Sequence, residues 1–266
     1  MLFDNKSLTT MSLDYSSSVA IVTLARPEAR NAINHAFIED FKTILTELAQ
    51  DSNPARALLI IAEGKGFCAG ADLKDQTGEM PPNLGPMLRQ NYNPLIRQLK
   101  ALPLPTIVAV NGAAAGAGMS LVCACDMAIA ADDAYFLQAF VNIALVPDAG
   151  STYFLPRLVG RARATSMMML GEKLSAQDAL DYGIISQVVT AQHLHAEALA
   201  LAQKLAAMPT QAVIAIRHLL DGSEHNSLDQ QLDAEADAQQ MAGRSEDFME
   251  GVTAFLQKRP AKFSGK

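Results

Sequence analysis

The stretch IVAVNGAAAGAGMSLVCACDMAIAA, Ile107 to Ala131, constrains this chain more than any other: an apolar strand runs into small residues and glycines that open an apolar helix. With no bulk from Ala113 to Gly118, main-chain N–H groups can approach a ligand closely, and a helix start leaves such groups unpaired and directed at negative charge. The natural guest is an anion, or a carbonyl oxygen becoming one. GKGFCAGADL, Gly64 to Leu73, repeats the design: the apolar strand Ala57–Ala62 ends in a glycine-rich turn ahead of a short polar helix start. Two such turns can offer two donors to one oxygen. Spacing removes other uses of the first turn. A dinucleotide fingerprint needs glycine at 121, where Leu121 stands, and a nucleophile elbow around Ser120 needs glycine at 122, where Val122 stands. It leaves open that Gly116 and Gly118 serve only tight helix–strand packing.

The rest of the N-terminal part alternates strands and helices, which predicts an α/β fold. Val19–Leu24 reads as a strand, and Ala32–Gln50 as a helix with Ile33, Phe37, Phe41, Ile44, Leu45 and Leu48 on one face. Gln76–Pro86, rich in proline and glycine, reads as a mobile loop. A helix with Leu88, Tyr92, Leu95, Ile96 and Leu99 as its apolar stripe follows, ending before Pro103 and Pro105. Thr106–Val110 and Met127–Ala130 read as buried strands. From about Gly150 the pattern turns helical, and Leu228 to Gln240 is acidic and nearly free of large apolar side chains. Short strands with helical crossovers imply right-handed ββα units coiled into a spiral.

Composition excludes several classes of partner. The 266 residues carry a net charge of −7, with 21 scattered Lys and Arg, which argues against nucleic acid. No apolar run reaches the ~18 residues of a membrane span, because Asn111, Ser120 and Asp126 interrupt Ile107–Ala131. The start MLFDNKSLTTMSLDY lacks the basic and apolar parts of a signal peptide. A soluble cytoplasmic protein without a membrane partner is expected. Cys68, Cys123 and Cys125 read as reduced core thiols, and the five histidines have no partner at zinc spacing, so no metal is expected.

Five motifs in order give a family resemblance. VAIVTLARPEARNAIN (Val19–Asn34), FCAGADL (Phe67–Leu73) with VNGAAAGAG (Val110–Gly118), VNIALVPDAGSTYFLPRLVG (Val141–Gly160), LSAQDALDYGIISQVV (Leu174–Val189) and EGVTAFLQKRPAKF (Glu250–Phe263) together resemble the crotonase, or enoyl-CoA hydratase/isomerase, superfamily. The likeness is nearest to the phenylacetate-degradation branch, which isomerises a ring epoxide of phenylacetyl-CoA. It implies a crotonase-like spiral of ββα units over residues 1–200 and a helical C-terminal trimerisation region over 201–266. It also implies a homotrimer or dimer of trimers, an acyl-CoA thioester as substrate and no further cofactor.

Carried over position by position, the resemblance makes the N–H groups of Ala71 and Ala117 the oxyanion hole for the thioester carbonyl. It sets the CoA adenine against the Ala69–Leu73 turn, with Gly70, Asp72 and Leu73 in it, and the pantetheine near Arg26 and Ala29. Gly116 and Phe140 border the acyl group, and Phe255 and Lys258 reach toward a neighbouring subunit's nucleotide. Hydratases of the family hold their water with two glutamates, at positions that are Ser120 and Phe140 here. Neither residue can activate water. The remaining carboxylate is Asp148, matching the acidic residue of several enoyl-CoA isomerases, and Phe140, Val141 and Leu145 are expected to raise its pKa. Asp148 also reads as the N-cap of a helix starting at Ala149. The expected activity is an isomerase that shifts a double bond or opens a ring epoxide through a thioester enolate, with weak hydratase activity. Three other readings stay open: a hydratase, an aryl-CoA dehalogenase with Asp148 as nucleophile, and a non-catalytic acyl-CoA binder. The dehalogenase reading lacks its tryptophan, since the chain has no Trp, and its only histidine before residue 193 is His35.

Overall fold

The computed structural model describes residues 7–74 and 83–266. In chain order the elements are β1 (Met11–Ser16), β2 (Val19–Leu24), α1 (His35–Leu48), β3 (Ala57–Ala62), β4 (Gly66–Cys68), α2 (Leu84–Met87), α3 (Asn93–Ala101), β5 (Thr106–Val110), β6 (Ala113–Ala115), α4 (Ala117–Ala124), β7 (Met127–Ala131) and β8 (Tyr135–Leu137). There follow α5 (Ser151–Val159), α6 (Arg161–Leu170), β9 (Lys173–Ser175), α7 (Ala176–Tyr182), β10 (Gln187–Val189), α8 (Leu194–Ala206), α9 (Thr210–Ser223), α10 (Leu228–Ala242) and α11 (Glu246–Leu256).

Successive turns of the chain put one strand into each of two sheets. The larger sheet runs β1-β2-β3-β5-β7-β10 and the smaller β4-β6-β8-β9. Thus β3, β5 and β7 stack in parallel, and so do β4, β6 and β8, each a full spiral turn after the last. β3 (ALLIIA) and β5 (TIVAV) are covered on both faces and therefore carry continuous rather than alternating apolar residues. Phe37, Phe41, Ile44, Leu45 and Leu48 of α1 are fully buried, as their helical spacing predicts. Burial pushes the thiols of Cys68 and Cys123 up to about 12, so both stay protonated in the core.

The boundaries depart from the sequence reading in three places. α1 starts at His35 rather than Ala32: Asn34 caps it by accepting from the Phe37 N–H at 2.9 Å, and Ile33 is drawn into a one-residue parallel bridge with Ala71. Residues 76–82 of the expected mobile loop lie outside the described residues, and the remainder is helical from Leu84, with Pro86 in the first turn. After β4 the chain makes a turn at Leu73 and Lys74, not the start of a helix, within the described residues.

α8 spans residue 200 and lies against the large sheet, with Leu194, Ala198, Ala202 and Ala206 buried. α9 is fixed to the core by a buried charge. Arg217 donates to Asp126 Oδ2 at 3.1 Å and to the carbonyls of Leu102 and Leu104, while Asp126 accepts from Thr106 N and Oγ1. α10 buries no residue and is held at its start by a Ser227–Gln230 capping box. Among the described residues no single helix is long and apolar enough to cross a membrane. Replacing Arg217 by leucine leaves Asp126 short of its main cation and two carbonyls without a donor. Unfolding in urea is expected to show a loss of about 2–4 kcal/mol; a loss under about 0.5 kcal/mol would mean that apolar contacts alone hold α9.

Candidate active site

The carboxyl ends of β4, β6 and β8, adjacent and parallel, deliver three segments to one corner of the molecule. Gly70 follows β4 at φ +91°, and a Cβ there would stand 2.9 Å from the Ala115 carbonyl oxygen and 3.4 Å from the Ala117 nitrogen. Only glycine allows this approach. Gly116 follows β6, donates its N–H to the Leu137 carbonyl at 2.8 Å and turns the chain into α4, whose first residue is Ala117. A Cβ on Gly116 would be 3.9 Å from both the Gly70 Cα and the Phe140 ring, so the two turns and Phe140 meet there.

Ala71 and Ala117 present free amides at this corner. The Ile33–Ala71 bridge uses the Gly70 carbonyl and the Asp72 N–H, which leaves the Ala71 N–H outside it. The Ala117 N–H belongs to the first turn of a helix, where no intrahelical acceptor exists. Among the described residues neither amide donates to a protein acceptor. The arrangement can therefore hold an oxygen that gains negative charge.

Asp148 lies in the loop between the 3-10 turn Ala139–Ile143 and α5. It does not cap that helix. α5 begins at Ser151 with Gly150 as its cap, and the positive φ of Ala149 and Gly150 takes the backbone around a tight turn after Asp148. What Asp148 supplies is its carbonyl, which accepts from Ser151 N at 3.0 Å and Ser120 Oγ at 3.1 Å. Its carboxyl makes no hydrogen bond to a described residue, and Oδ1 is buried without a partner. Burial pushes this carboxyl up to about 6, which suits a group that takes and returns a proton near neutral pH. Of the expected apolar neighbours, Phe140 is buried, whereas Val141 and Leu145 are 39% and 37% exposed and form no shield within the chain.

The other expected contact residues divide. Arg26 and Asp72 are paired with each other: Arg26 Nη2 is 3.0 Å from Asp72 Oδ2 and Nη1 donates to the Ala32 carbonyl at 2.6 Å, so the pair braces the turn that carries Ala71. Ala69, exposed, and Leu73, 55% exposed, line the outer side of that turn, and Ala29 is half-buried in the 3-10 turn Pro27–Ala29. Phe255 and Lys258 are not at this corner. Phe255 is 82% exposed beside a cleft formed with Pro209 and Phe263, and Lys258 follows the end of α11.

Tyr92 was missed as anything but a core residue. It ends a π-turn, Leu88–Tyr92, that shifts the register between α2 and α3 and turns this buried side chain toward Ile33 and Ala71. Its hydroxyl lies 3.4 Å from the Ile33 carbonyl, and it borders a cavity of about 180 Å³ with Ala71, Asp72 and the exposed His35. Burial, with Asp148 next, drives the phenol above its ordinary range, so it stays a neutral donor. Sequence carries no signal for a π-turn, so only the apolar stripe was visible. Among the described residues no group of three His, Cys, Asp or Glu side chains is placed to hold a metal ion.

The raised pKa of Asp148 has a stability consequence. Its folded value lies above the unfolded one, so ionisation opposes folding: stability is fullest below about pH 4 and falls as pH rises through 6. Asp148→Asn cannot ionise. Its stability relative to the natural protein should rise between pH 4.5 and pH 7.5 by on the order of 1–2 kcal/mol, allowing for the carboxyl's remaining contact with water. Thermal unfolding of both proteins at the two pH values checks this, and a pH-independent difference would count against it.

The sequence profile described as enoyl-CoA hydratase/isomerase matches residues 14–266. The chain is 45% identical over 252 residues to 1,2-epoxyphenylacetyl-CoA isomerase of Escherichia coli, covering 93% of this chain and 95% of that protein. It is 34% identical to the 2,3-dehydroadipyl-CoA hydratase of the same organism, covering 93% and 96%. The crystal structure of enoyl-CoA hydratase from Bacillus anthracis superposes with a TM-score of 0.91 at 32% identity, over 97% of this chain and 100% of that one. A spiral of paired strands, two facing glycine turns and this likeness along nearly the whole length lead to one conclusion: the chain belongs to the enoyl-CoA hydratase/isomerase family.

Proposed function

We propose that the protein is an acyl-CoA isomerase that moves a carbon–carbon double bond through a thioester enolate. The observation that carries this reading is the half-buried Asp148 carboxyl, whose inner oxygen has no hydrogen-bond partner among the described residues and whose pKa is shifted toward neutral pH. In this reading the amides of Ala71 and Ala117 hold the thioester oxygen. Asp148 removes a proton from C2 of a 3-enoyl-CoA, the electron pair spreads from C2 to C4 and onto the held oxygen, and the same proton returns at C4. The double bond then lies between C2 and C3, with no atom gained or lost. Each oxyanion donor contributes about 3 kcal/mol to such a step. Hydration is disfavoured because Ser120 and Phe140 stand where two water-holding carboxylates would be needed.

The relative in Escherichia coli supports a second substrate class, an aryl-acetyl-CoA ring epoxide, on which the same enolate chemistry would operate. Acyl-CoA is the substrate and no further cofactor is required. Ala69–Leu73, Arg26 and Ala29 would border the CoA. Phe255 and Lys258 would reach a neighbouring subunit's nucleotide in a homotrimer or dimer of trimers, an arrangement that would also cover Leu220, Leu228, Phe248, Met249 and Leu256, all exposed in the single chain. Three free cysteines fit a reducing compartment.

Turnover of 3-enoyl-CoA and aryl-acetyl-CoA esters tests the reading. Asp148→Asn should lose about a hundredfold to ten-thousandfold in kcat while keeping acyl-CoA affinity. Ala117→Pro deletes one donor at a helix position where proline is tolerated, and should lose roughly a hundredfold or more. Unchanged rates for both would leave an acyl-CoA binder without catalysis. Crotonyl-CoA hydration should stay below a few per cent of the isomerisation rate; faster hydration would return the protein to the hydratases.

A further inference from the structure

Among the described residues, the proton carrier in the proposed reaction is held by its main chain alone. No described side chain or amide hydrogen-bonds the Asp148 carboxyl, so its reach toward the acyl group depends on where the 148–151 backbone is anchored. That backbone is tightly wound: Ala149, which has a side chain, sits at φ +50° and Gly150 at φ +81°. A residue with a Cβ is disfavoured in this region, so surrounding contacts must hold it there.

One cross-link meets this need and reaches the oxyanion corner. Ser120 is fully buried on α4, one helical turn after Gly116. Its N–H donates to the Gly116 carbonyl at 3.0 Å, the first hydrogen bond of the helix that opens with Ala117. Its hydroxyl lies 3.1 Å from the Asp148 carbonyl, 28 residues along the chain, and 3.3 Å from the Gly116 carbonyl, so its one proton is shared between the two peptides. A second buried pair steadies the far side: Ser151 N donates to the same Asp148 carbonyl, and Ser151 Oγ donates to Gln138 Oε1 at 3.0 Å. Gln138 follows β8 directly. The Asp148 peptide is thus tied on one side to the end of β6 and on the other to the end of β8.

We infer that Ser120 is a positioning residue, whose buried hydroxyl fixes the Asp148 peptide against the helix start presenting the Ala117 amide. The inference rests on Asp148 being the proton carrier. Without the hydroxyl, the Asp148 carbonyl keeps only Ser151 N, the strained 148–150 turn relaxes, and the carboxyl gains contact with water. Two effects should follow together. The carboxyl reaches the acyl carbons less often, which lowers kcat without weakening CoA binding. Its ionisation also returns toward the ordinary carboxylate range, because burial is what raised it.

The experiment compares Ser120→Ala, Ser120→Cys, Asp148→Asn and the natural protein on a 3-enoyl-CoA across pH 4.5–8. For Ser120→Ala the expected result is a ten- to hundredfold drop in kcat, KM within about twofold, and an acid limb moved from near pH 6 toward pH 4. Ser120→Cys, with a weaker donor of similar size, should recover part of the rate and part of the shift, and it serves alone should the alanine variant fail to fold. A lowered kcat with the acid limb unmoved would make Ser120 a packing residue and overturn the inference. So would natural kcat and pH dependence in Ser120→Ala while Asp148→Asn is inactive. An active Asp148→Asn would remove the proposed function itself, and the inference with it, a result recognisable from that variant alone.

Discussion

The corner of the molecule depends on how closely consecutive turns of the spiral can approach. β4 and β6 are parallel neighbours, so their ends lie about 4.8 Å apart. Two donors each about 2.9 Å from a shared acceptor can stand at most about 5.8 Å apart. Strand spacing therefore already matches what two amides need to converge on one oxygen, provided that nothing intrudes between them. The side chains are removed where they would intrude. A Cβ on Gly118 would fall 2.4 Å from the Cys68 carbonyl oxygen, and one on Gly70 would press on the Ala115 carbonyl. Glycine at these positions sets the distance between the turns, and the parallel register of the smaller sheet sets their alignment.

Against this backbone frame Asp148 is the exception to ordinary protein economy. Buried carboxylates are usually paired or hydrogen-bonded, because an unpartnered charge loses its hydration. Among the described residues the half-buried Asp148 has neither compensation on its carboxyl, while Asp126 and Asp72 have cations and N–H donors. The contrast separates carboxylates that stabilise the fold from one kept at a cost. A carboxyl satisfied by Arg or by several N–H groups would be a weak base locked in its ionised form. The same burial that weakens folding above pH 6 brings the group into the range where proton transfer in both directions is possible.

The parts legible in the sequence were those written in single-residue chemistry. The runs Ala57–Ala62 and Thr106–Val110 read as buried strands because they are short, rich in β-branched residues and free of charge, and the small residues at 113–118 permit close approach. The parts that were not legible depend on partners far along the chain. Ile33 reads as the first apolar position of α1, yet its backbone pairs with Ala71, and nothing within residues 32–50 encodes that. Asp148 before Ala149 looks like a helix cap, but the positive φ at Ala149 delays α5 by two residues and frees the carboxyl. Arg26 offered itself as a ligand for CoA; its engagement with Asp72 is set by a turn 46 residues later. Tyr92 was hidden by a π-turn, which one inserted residue creates and no periodicity reveals.

The division between backbone and side chain bears on why relatives named as isomerase and as hydratase share this frame. The amides of residues 71 and 117 belong to the fold, and any side chain compatible with the turns leaves them in place. What differs between chemistries must then lie in the few side chains that face the thioester, as is general for folds that host several reactions. In the proposed reaction that set is small: Ser120 and Phe140 carry no charge, and Asp148 sits on a loop whose own peptide is held from both sides. Converting such a site to water activation would require carboxylates at 120 and 140, and the first substitution would displace the hydroxyl that lies between the Asp148 and Gly116 carbonyls. Under the proposed mechanism, a carboxylate at 120 would therefore give up the contact that ties the Asp148 peptide to the start of α4.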